Sequence, residues 1–283
     1  MAKKVLFISD FNLSHSIGGA QRSNDIIIQK GREIGLDITY HNHDSSYTDF
    51  LHSYDILISS NLEVINSISQ DKLNWILNHK NHVRLEHDSC SYLSDDLRKA
   101  LFGSAKKSVF LSQFHIDFFK QKYGDYFENT FIVNDPIDTD LFYPDDTPKE
   151  FDVVYAGFLH RLKGGYKLVE FAKSNPDFKI AVCGWGKDQN LVDSISAQKN
   201  ISFLGSQHPS LIADLYRKSE FVFHDPIVNE PFCRMVGEAI LCGCKFIGDE
   251  SKVGSILELK RVGDEVFRDN CNKAASLFWE TVL

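Results

Sequence analysis

The chain has 283 residues, more than one ordinary domain, and suits two domains of about 140 residues each. Its net charge is −8, from 31 Lys+Arg against 39 Asp+Glu. Residues 1–144 carry 14 basic and 19 acidic side chains and residues 145–283 carry 17 and 20, so neither half has the basic excess of an electrostatically driven nucleic-acid binder. A hydrophobic content of 43% with 25% charged residues is that of a globular chain. No run of about 18 apolar residues occurs, so no membrane-spanning helix is expected. The start, MAKKVLFISD, reads as a first strand rather than a signal peptide. A cytoplasmic protein, or one peripheral at a membrane, is expected. The six cysteines form no C-x-x-C pair and indicate neither zinc nor a disulfide framework. They read as reduced, partly buried thiols.

In chain order, short apolar runs alternate with amphipathic stretches, the mark of βα units and parallel sheets. Strands are predicted at Val5–Ser9, Ile38–Tyr40, Ile56–Ile58, Val83–Glu86, Ser108–Leu111 and Phe131–Val133. A helix is predicted over Ala20–Ile34, with Gly35 as its C-terminal stop. The polar, proline-bearing stretch Tyr143–Pro148 reads as a linker. Beyond it strands are predicted at Val153–Ala156, Lys179–Val182, Ile201–Leu204, Phe221–Phe223 and Lys245–Ile247. Helices are predicted at Gly165–Lys173, Leu211–Lys218, Met235–Leu241 and Glu265–Leu283. Tandem α/β domains place strand C-termini, where ligands of open parallel sheets bind, around a cleft.

The strongest motif runs from Asn229 to Ala239, in which Glu230 and Glu238 are separated by seven residues. The first glutamate follows a strand and a loop, and the second falls about one turn into a helix. Backbone N–H groups at a helix start meet phosphate oxygens and sugar hydroxyls. A carboxylate within the helix can accept two hydrogen bonds from a ribose diol. Two solvated glutamates at a helix start would be the plain alternative. The motif resembles the E-x7-E of retaining glycosyltransferases of family 4 and its relatives, which have the GT-B fold. The resemblance implies that Glu238 holds the ribose and Glu230 contacts the donor sugar, with Phe232, Cys233 and Arg234 also at the donor.

Further segments follow the same resemblance. Gly157–Gly164 matches the family's G-R-L-x-x-x-K-G in spacing, so Lys163 is expected on the leaving diphosphate. Phe158 stands where the family has arginine, and Arg161 is expected to replace that charge. A diphosphate leaving group needs cationic neighbours, and the resemblance implies no essential metal and no cofactor beyond the donor. Gly184 lies in a segment similar to the family's G-x-G, and Gly205 in one similar to its F-L-G, whose loop lies near the base. Asn134–Pro144 is similar to the run that closes the family's first domain, with a departure at Asp135-Pro136, and reads as structural. Gly18 and Gly19 match a glycine pair at the start of the first helix. His87, at a strand end, corresponds to a histidine close to the reacting sugar, with a structural histidine as the alternative. Cys233 replaces a usual glycine.

The resemblance implies an α/β chain of GT-B architecture, two Rossmann-like domains facing a cleft. Residues 1–144 form an acceptor-side domain and 145–283 a donor domain, whose last helix packs back on the first. The function implied is transfer of a sugar from a nucleotide-diphosphate sugar, of the UDP-sugar kind, with retention. Glu230, Lys163 and His87 are the catalytic candidates. The acceptor is a glycan, a glycolipid or a modified DNA base, for which the cluster Arg98, Lys99, Lys106 and Lys107 offers phosphate partners or simply a solvated face.

Other readings fit less well. A nicotinamide dehydrogenase needs G-x-G-x-x-G after the first strand, absent from Asp10–Gly19. Two carboxylates serving different parts of a donor do not suit glycoside hydrolysis. His41-Asn42-His43-Asp44 lacks matching metal ligands elsewhere and reads as surface histidines. A non-catalytic nucleotide-sugar module, or a partner subunit, would explain the missing arginine and glycine, but both glutamates and Lys163 are retained.

Overall fold

The computed structural model describes residues 2–10, 18–42, 53–61, 69–89, 93–124 and 129–283. The chain divides into two compact units, Met1–Pro136 with Asp269–Leu283, and Ile137–Arg268.

The first unit holds a parallel sheet of β1 (Lys4–Ile8), β2 (Asp37–His41), β3 (Ile56–Ser60), β4 (His82–Leu85), β5 (Lys107–Phe110) and β6 (Thr130–Ile132) in the order β2-β1-β3-β4-β5-β6. Its helices are α1 (Gly19–Glu33), α2 (Gln70–Leu77), α3 (Asp95–Ser104) and α4 (Gln113–Tyr123). Val5 to Ile8 are all buried because both faces of the sheet are covered. Val5 and Phe7 pack with Ile27 and Ile28 of α1, whereas Leu6 and Ile8 pack with Ile76 of α2 and Leu101 of α3. Gly35, at φ 88°, stops α1 as expected.

The second unit holds β7 (Phe151–Phe158), β8 (Ile180–Trp185), β9 (Ile201–Gly205), β10 (Ser219–Phe223) and β11 (Lys245–Ile247), all parallel, in the order β11-β10-β7-β8-β9. Helices α5 (Gly165–Ser174) and α6 (Gln189–Ser196) bury Leu168, Val169, Leu191 and Ile195 against β7 and β8. The remaining helices are α7 (Pro209–Arg217), α8 (Arg234–Leu241), α9 (Gly254–Val262) and α10 (Asp264–Val282). Each sheet with its helices is Rossmann-like.

The units part at Pro136 and Ile137, ahead of the proline-bearing stretch at 143–148. The intervening residues belong to the second unit because they pack there. Ile137 lies against Gly237, the Phe142 ring meets Tyr216, and Arg217 pairs with Asp145 at 3.4 Å. Helix α10 begins in the second unit, where Phe267 stacks on Phe232 and Arg268 donates to the Leu241 carbonyl at 2.8 Å. It ends in the first, where Trp279 is 1% exposed and its Nε1 donates to the Ile27 carbonyl at 2.7 Å. Trp279 sits against Gly31, where a Cβ would come within 2.5 Å of the indole. A small residue in α1 is therefore what lets α10 close this core.

Among the described residues no helix is long and apolar enough to cross a membrane. Five of the cysteines are free thiols, four buried and Cys233 half-buried, and Cys90 lies outside the described residues. His41 is buried on β2 rather than at the surface, its backbone carbonyl accepting from Ser9 N–H at 3.0 Å, while His43 and Asp44 lie outside the described residues. Truncating the indole removes both a large buried ring and a hydrogen bond. Trp279→Ala is expected to cost about 3–5 kcal/mol in equilibrium denaturation.

Candidate functional site

In the second unit the predicted residues converge at the C-terminal ends of the strands. Strand β7 runs into a 3-10 turn, Arg161–Lys163, whose start is capped by the His160 side chain. Gly164 follows at φ 83°, and a Cβ there would lie 2.3 Å from the Asp225 carbonyl oxygen. Only glycine permits this close approach of the two loops, which the Ile227 N–H seals by donating to the Leu162 carbonyl at 2.9 Å. The approach carries Lys163 to the loop after β10, where its Nζ lies 2.6 Å from Glu230 Oε1.

Glu230 is held by its backbone. Its N–H donates to the Lys252 carbonyl at 2.8 Å and its carbonyl accepts from Gly254 at 2.9 Å, an isolated parallel bridge to the segment before α9. Ser255 N–H donates to the Phe232 carbonyl at 2.6 Å. The Glu230 carboxylate is 7% exposed and faces two cationic groups, Lys163 and His224, whose Nε2 is 3.6 Å away. Burial pushes its pKa up, but the Lys163 charge and the nearby His224 outweigh burial and hold it at about 2. His224 directly follows β10 and is 2% exposed. Burial opposes its charge, but Cys233 and Glu230 raise it to about 9.

Cys233 has φ 68° and ψ 80°, a left-handed conformation, and is the N-cap residue of α8. No side chain caps that helix start, which is the positive end of the helix dipole. Arg234 Nε pairs with Glu238 Oε1 at 2.8 Å within the first turns, and Glu238 is buried. Phe232 turns inward, 1% exposed and stacked on Phe267. Arg161 is exposed on the 3-10 turn beside Lys163. Phe158 packs on Trp185, ring centroids 4.6 Å apart. Gly184 presses on β7, where a Cβ would lie 1.9 Å from the Gly157 carbonyl oxygen, a strand-packing reason for glycine. Gly205 ends β9.

In the first unit Gly18 caps α1 and Gly19 begins it, while 11–17 lie outside the described residues. His87 follows β4 and is buried. Its Nε2 donates to Asn24 Oδ1 at 2.9 Å, its Nδ1 is 3.9 Å from Asp135, and its backbone N–H donates to Asn61 Oδ1 at 3.0 Å. Burial lowers its pKa to about 4, so the ring is neutral at pH 7. Asp135 accepts from Ser23 Oγ at 2.7 Å, and Asn134 Nδ2 donates to the Leu111 carbonyl at 2.7 Å, which ties the end of β6 to its neighbours. The basic cluster is broken up. Arg98 is 2% exposed, lies 4.0 Å from Glu86 and covers the Phe119 ring. Lys107 Nζ donates to the Thr281 carbonyl at 2.6 Å. Lys99 lies over Tyr123.

The family model described as Glycosyl transferases group 1 matches residues 141–259. HepE of Anabaena, crystallised with UDP and glucose, superposes with a TM-score of 0.65 at 17% identity, covering 98% of this chain and 94% of that one. Sucrose-phosphate synthase of Thermosynechococcus elongatus gives 0.67 at 13%, covering 99% and 96%. WaaG, a glycosyltransferase of lipopolysaccharide biosynthesis, gives 0.65 at 15%, covering 98% and 94%. This chain has the GT-B fold of glycosyltransferases. No curated protein matches its sequence.

The residue that sequence reasoning missed in this GT-B chain is His224. A histidine immediately after the predicted strand Phe221–Phe223, six positions ahead of Glu230, was the available signal.

Two predictions follow from this geometry. The depressed Glu230 pKa contributes stability present above the usual 4.5 and lost as pH falls towards about 2. The raised His224 pKa contributes stability present below the usual 6.5 and lost as pH rises through about 9. The stability difference between wild type and Glu230→Gln, followed by melting temperature against pH, is therefore expected to favour wild type most between pH 4.5 and 6.5 and to decline on both sides. A left-handed conformation costs an L-residue about 1–2 kcal/mol, against about 0.4–1 kcal/mol for the greater freedom of glycine in the unfolded chain. Cys233→Gly is accordingly expected to melt at or above the wild-type temperature and Cys233→Val below it.

Proposed function

We propose that the protein transfers a sugar from a nucleotide-diphosphate sugar, UDP-sugars foremost, to an acceptor hydroxyl with retention of anomeric configuration. The observation that carries the reading is the Lys163–Glu230 pair at 2.6 Å beside the uncapped start of α8, with Glu238 on that helix. The group 1 match over residues 141–259 and the UDP-bound structure of HepE support it.

Each part has a chemical task. The departing diphosphate concentrates negative charge, which Lys163 and the N-terminus of α8 receive without a metal, with Arg161 as a second cation. Glu230, ionised at neutral pH, accepts sugar hydroxyls and stabilises positive charge at the anomeric carbon. Its partner Lys163 is released to the phosphate as donor enters. Glu238 accepts from the ribose diol, which requires it to share or leave Arg234. The acceptor hydroxyl attacks from the face that the diphosphate leaves. The acceptor proton passes to the leaving phosphate. In the first unit His87 offers a neutral hydrogen-bonding group to an acceptor.

The acceptor we favour is a glycan or glycolipid rather than a base in DNA. A DNA reader needs a row of cations free to meet phosphates. Arg98 is internal and Lys107 is engaged with the backbone of α10, so the sequence cluster supplies no such row.

The test is a donor screen over UDP-, GDP-, ADP- and CMP-sugars, following nucleotide release. One donor is expected to be consumed. Lys163→Ala is expected to cut kcat by about 10²–10³, and Glu238→Ala to abolish release at wild-type donor concentrations. Binding of the whole panel with no release under any acceptor would favour a non-catalytic module, and no binding at all would end the reading.

A further inference from the structure

The loop after β10 brings together a nitrogen, an oxygen and a sulfur donor. One ligand atom from each of His224, Glu230 and Cys233 lies within 4.8 Å of the others, and His224 Nε2 is 3.6 Å from Glu230 Oε1. Around a tetrahedral zinc ion, bonds of about 2.0–2.3 Å place neighbouring ligand atoms about 3.3–3.6 Å apart. The histidine–carboxylate spacing already meets that geometry, and the sulfur, within 4.8 Å of both, has at most about 1–1.5 Å to close. We propose that His224, Glu230 and Cys233 form a binding site for a thiophilic divalent cation of the zinc class, and that the cation and the sugar donor exclude each other.

The state of His224 points to such a ligand. It is 2% exposed, and neither ring nitrogen has a hydrogen-bond partner within the structure, although both are buried. Buried imidazole nitrogens are rarely left so. A metal on one nitrogen removes half of that deficit.

The three donors are also held at rigid points. His224 N–H donates to the Ile247 carbonyl at 2.9 Å, and Gly248 packs so closely on the His224 carbonyl oxygen that a Cβ would lie 2.0 Å from it. Glu230 is fixed by its bridge to Val253. Cys233 is fixed as the N-cap residue of α8. Preorganised ligands lower the cost of assembling a site.

The donor set selects the cation. Thiolate with imidazole and one carboxylate suits zinc and its soft neighbours, whereas magnesium and calcium take oxygen ligands. Three protein ligands leave a fourth position for water. Binding releases the thiol proton and, where the ring is protonated, the imidazolium proton. The cation replaces the Lys163 ammonium as the counter-charge of Glu230, and a metal-bound Glu230 is no longer available to sugar hydroxyls. This exclusion, unlike the site itself, rests on the reading that the donor sugar meets Glu230.

The experiment titrates the metal-free full chain with cobalt(II) chloride and records the absorption spectrum. A thiolate-to-cobalt charge-transfer band with tetrahedral visible bands is expected, bleached by stoichiometric zinc chloride and untouched by magnesium. The band is expected to vanish in Cys233→Gly, which its backbone angle permits, and to persist in Cys90→Ser. His224→Gln is expected to weaken cobalt by at least about tenfold. A wild-type chain with no such band, or a band that survives in Cys233→Gly, overturns the site. UDP-glucose, or whichever donor the screen shows to be consumed, is then added to the cobalt form. Loss of the band with rising donor supports exclusion, and donor bound at unchanged affinity overturns it. If no donor binds the metal-free chain, the functional reading and the exclusion fail together, while the spectrum still decides the site.

Discussion

The site of the second unit depends on one ion pair, Lys163 with Glu230, and on the backbone that makes it possible. Neither residue would meet the other without Gly164, whose missing side chain lets the 3-10 turn seat against the carbonyl of Asp225. A carboxylate this buried costs several kcal/mol of desolvation unless cations face it. Here they do on two sides, Lys163 and His224, so the charge persists well into the acid range. The arrangement stores a carboxylate in the ionised state while its main partner, Lys163, stays half-exposed. A bound anion can draw such a lysine away without rebuilding the fold.

The first unit solves a different electrostatic problem with the same means. Arg84 and Glu86 are both fully buried after or within β4 and pair at 2.8 Å, with Arg84 also donating to the Asn61 carbonyl at 2.7 Å. Arg98 adds a second guanidinium from α3. Replacing one member of such a group leaves an uncompensated charge, so the three are bound to each other energetically. They fix the strand end from which His87 projects, and the Asn24, Asn61 and Asp135 side chains then fix its ring and backbone.

The strands and the last helix were legible because burial on both sheet faces demands continuous apolar runs, as at Val5–Ile8 and Val153–Ala156. The meeting of Lys163 and Glu230 was legible because its loop geometry needs particular residues at set spacing, Gly164 among them. Helices α2, α3, α4, α6 and α9 were not anticipated, since their apolar stripes are short and mixed with polar residues. Arg98 shows what pattern reading loses. Its spacing to Leu101 and Phe102, three and four residues on, puts it on the inward face of α3, yet its charge suggested solvent. His224 was passed over for a related reason, since its position after a strand gains meaning only from Glu230 and Cys233 arriving beside it. Cys233 was conspicuous as a departure from glycine, but only the backbone angle of 68° shows that the glycine conformation was kept when the side chain changed.

The seating of Trp279 on Gly31 has a consequence for the order of assembly. The ribosome delivers the six strands of the first unit early, but the residues that close their core, 269–283, only after the entire second unit. During synthesis the face formed by Ile27, Ile28 and Phe7 therefore lacks the cover of Phe278 and Trp279 until residues 137–268 have been made. The unit begun first is the one finished last, its core receiving Phe278 and Trp279 only after residue 268 has been added.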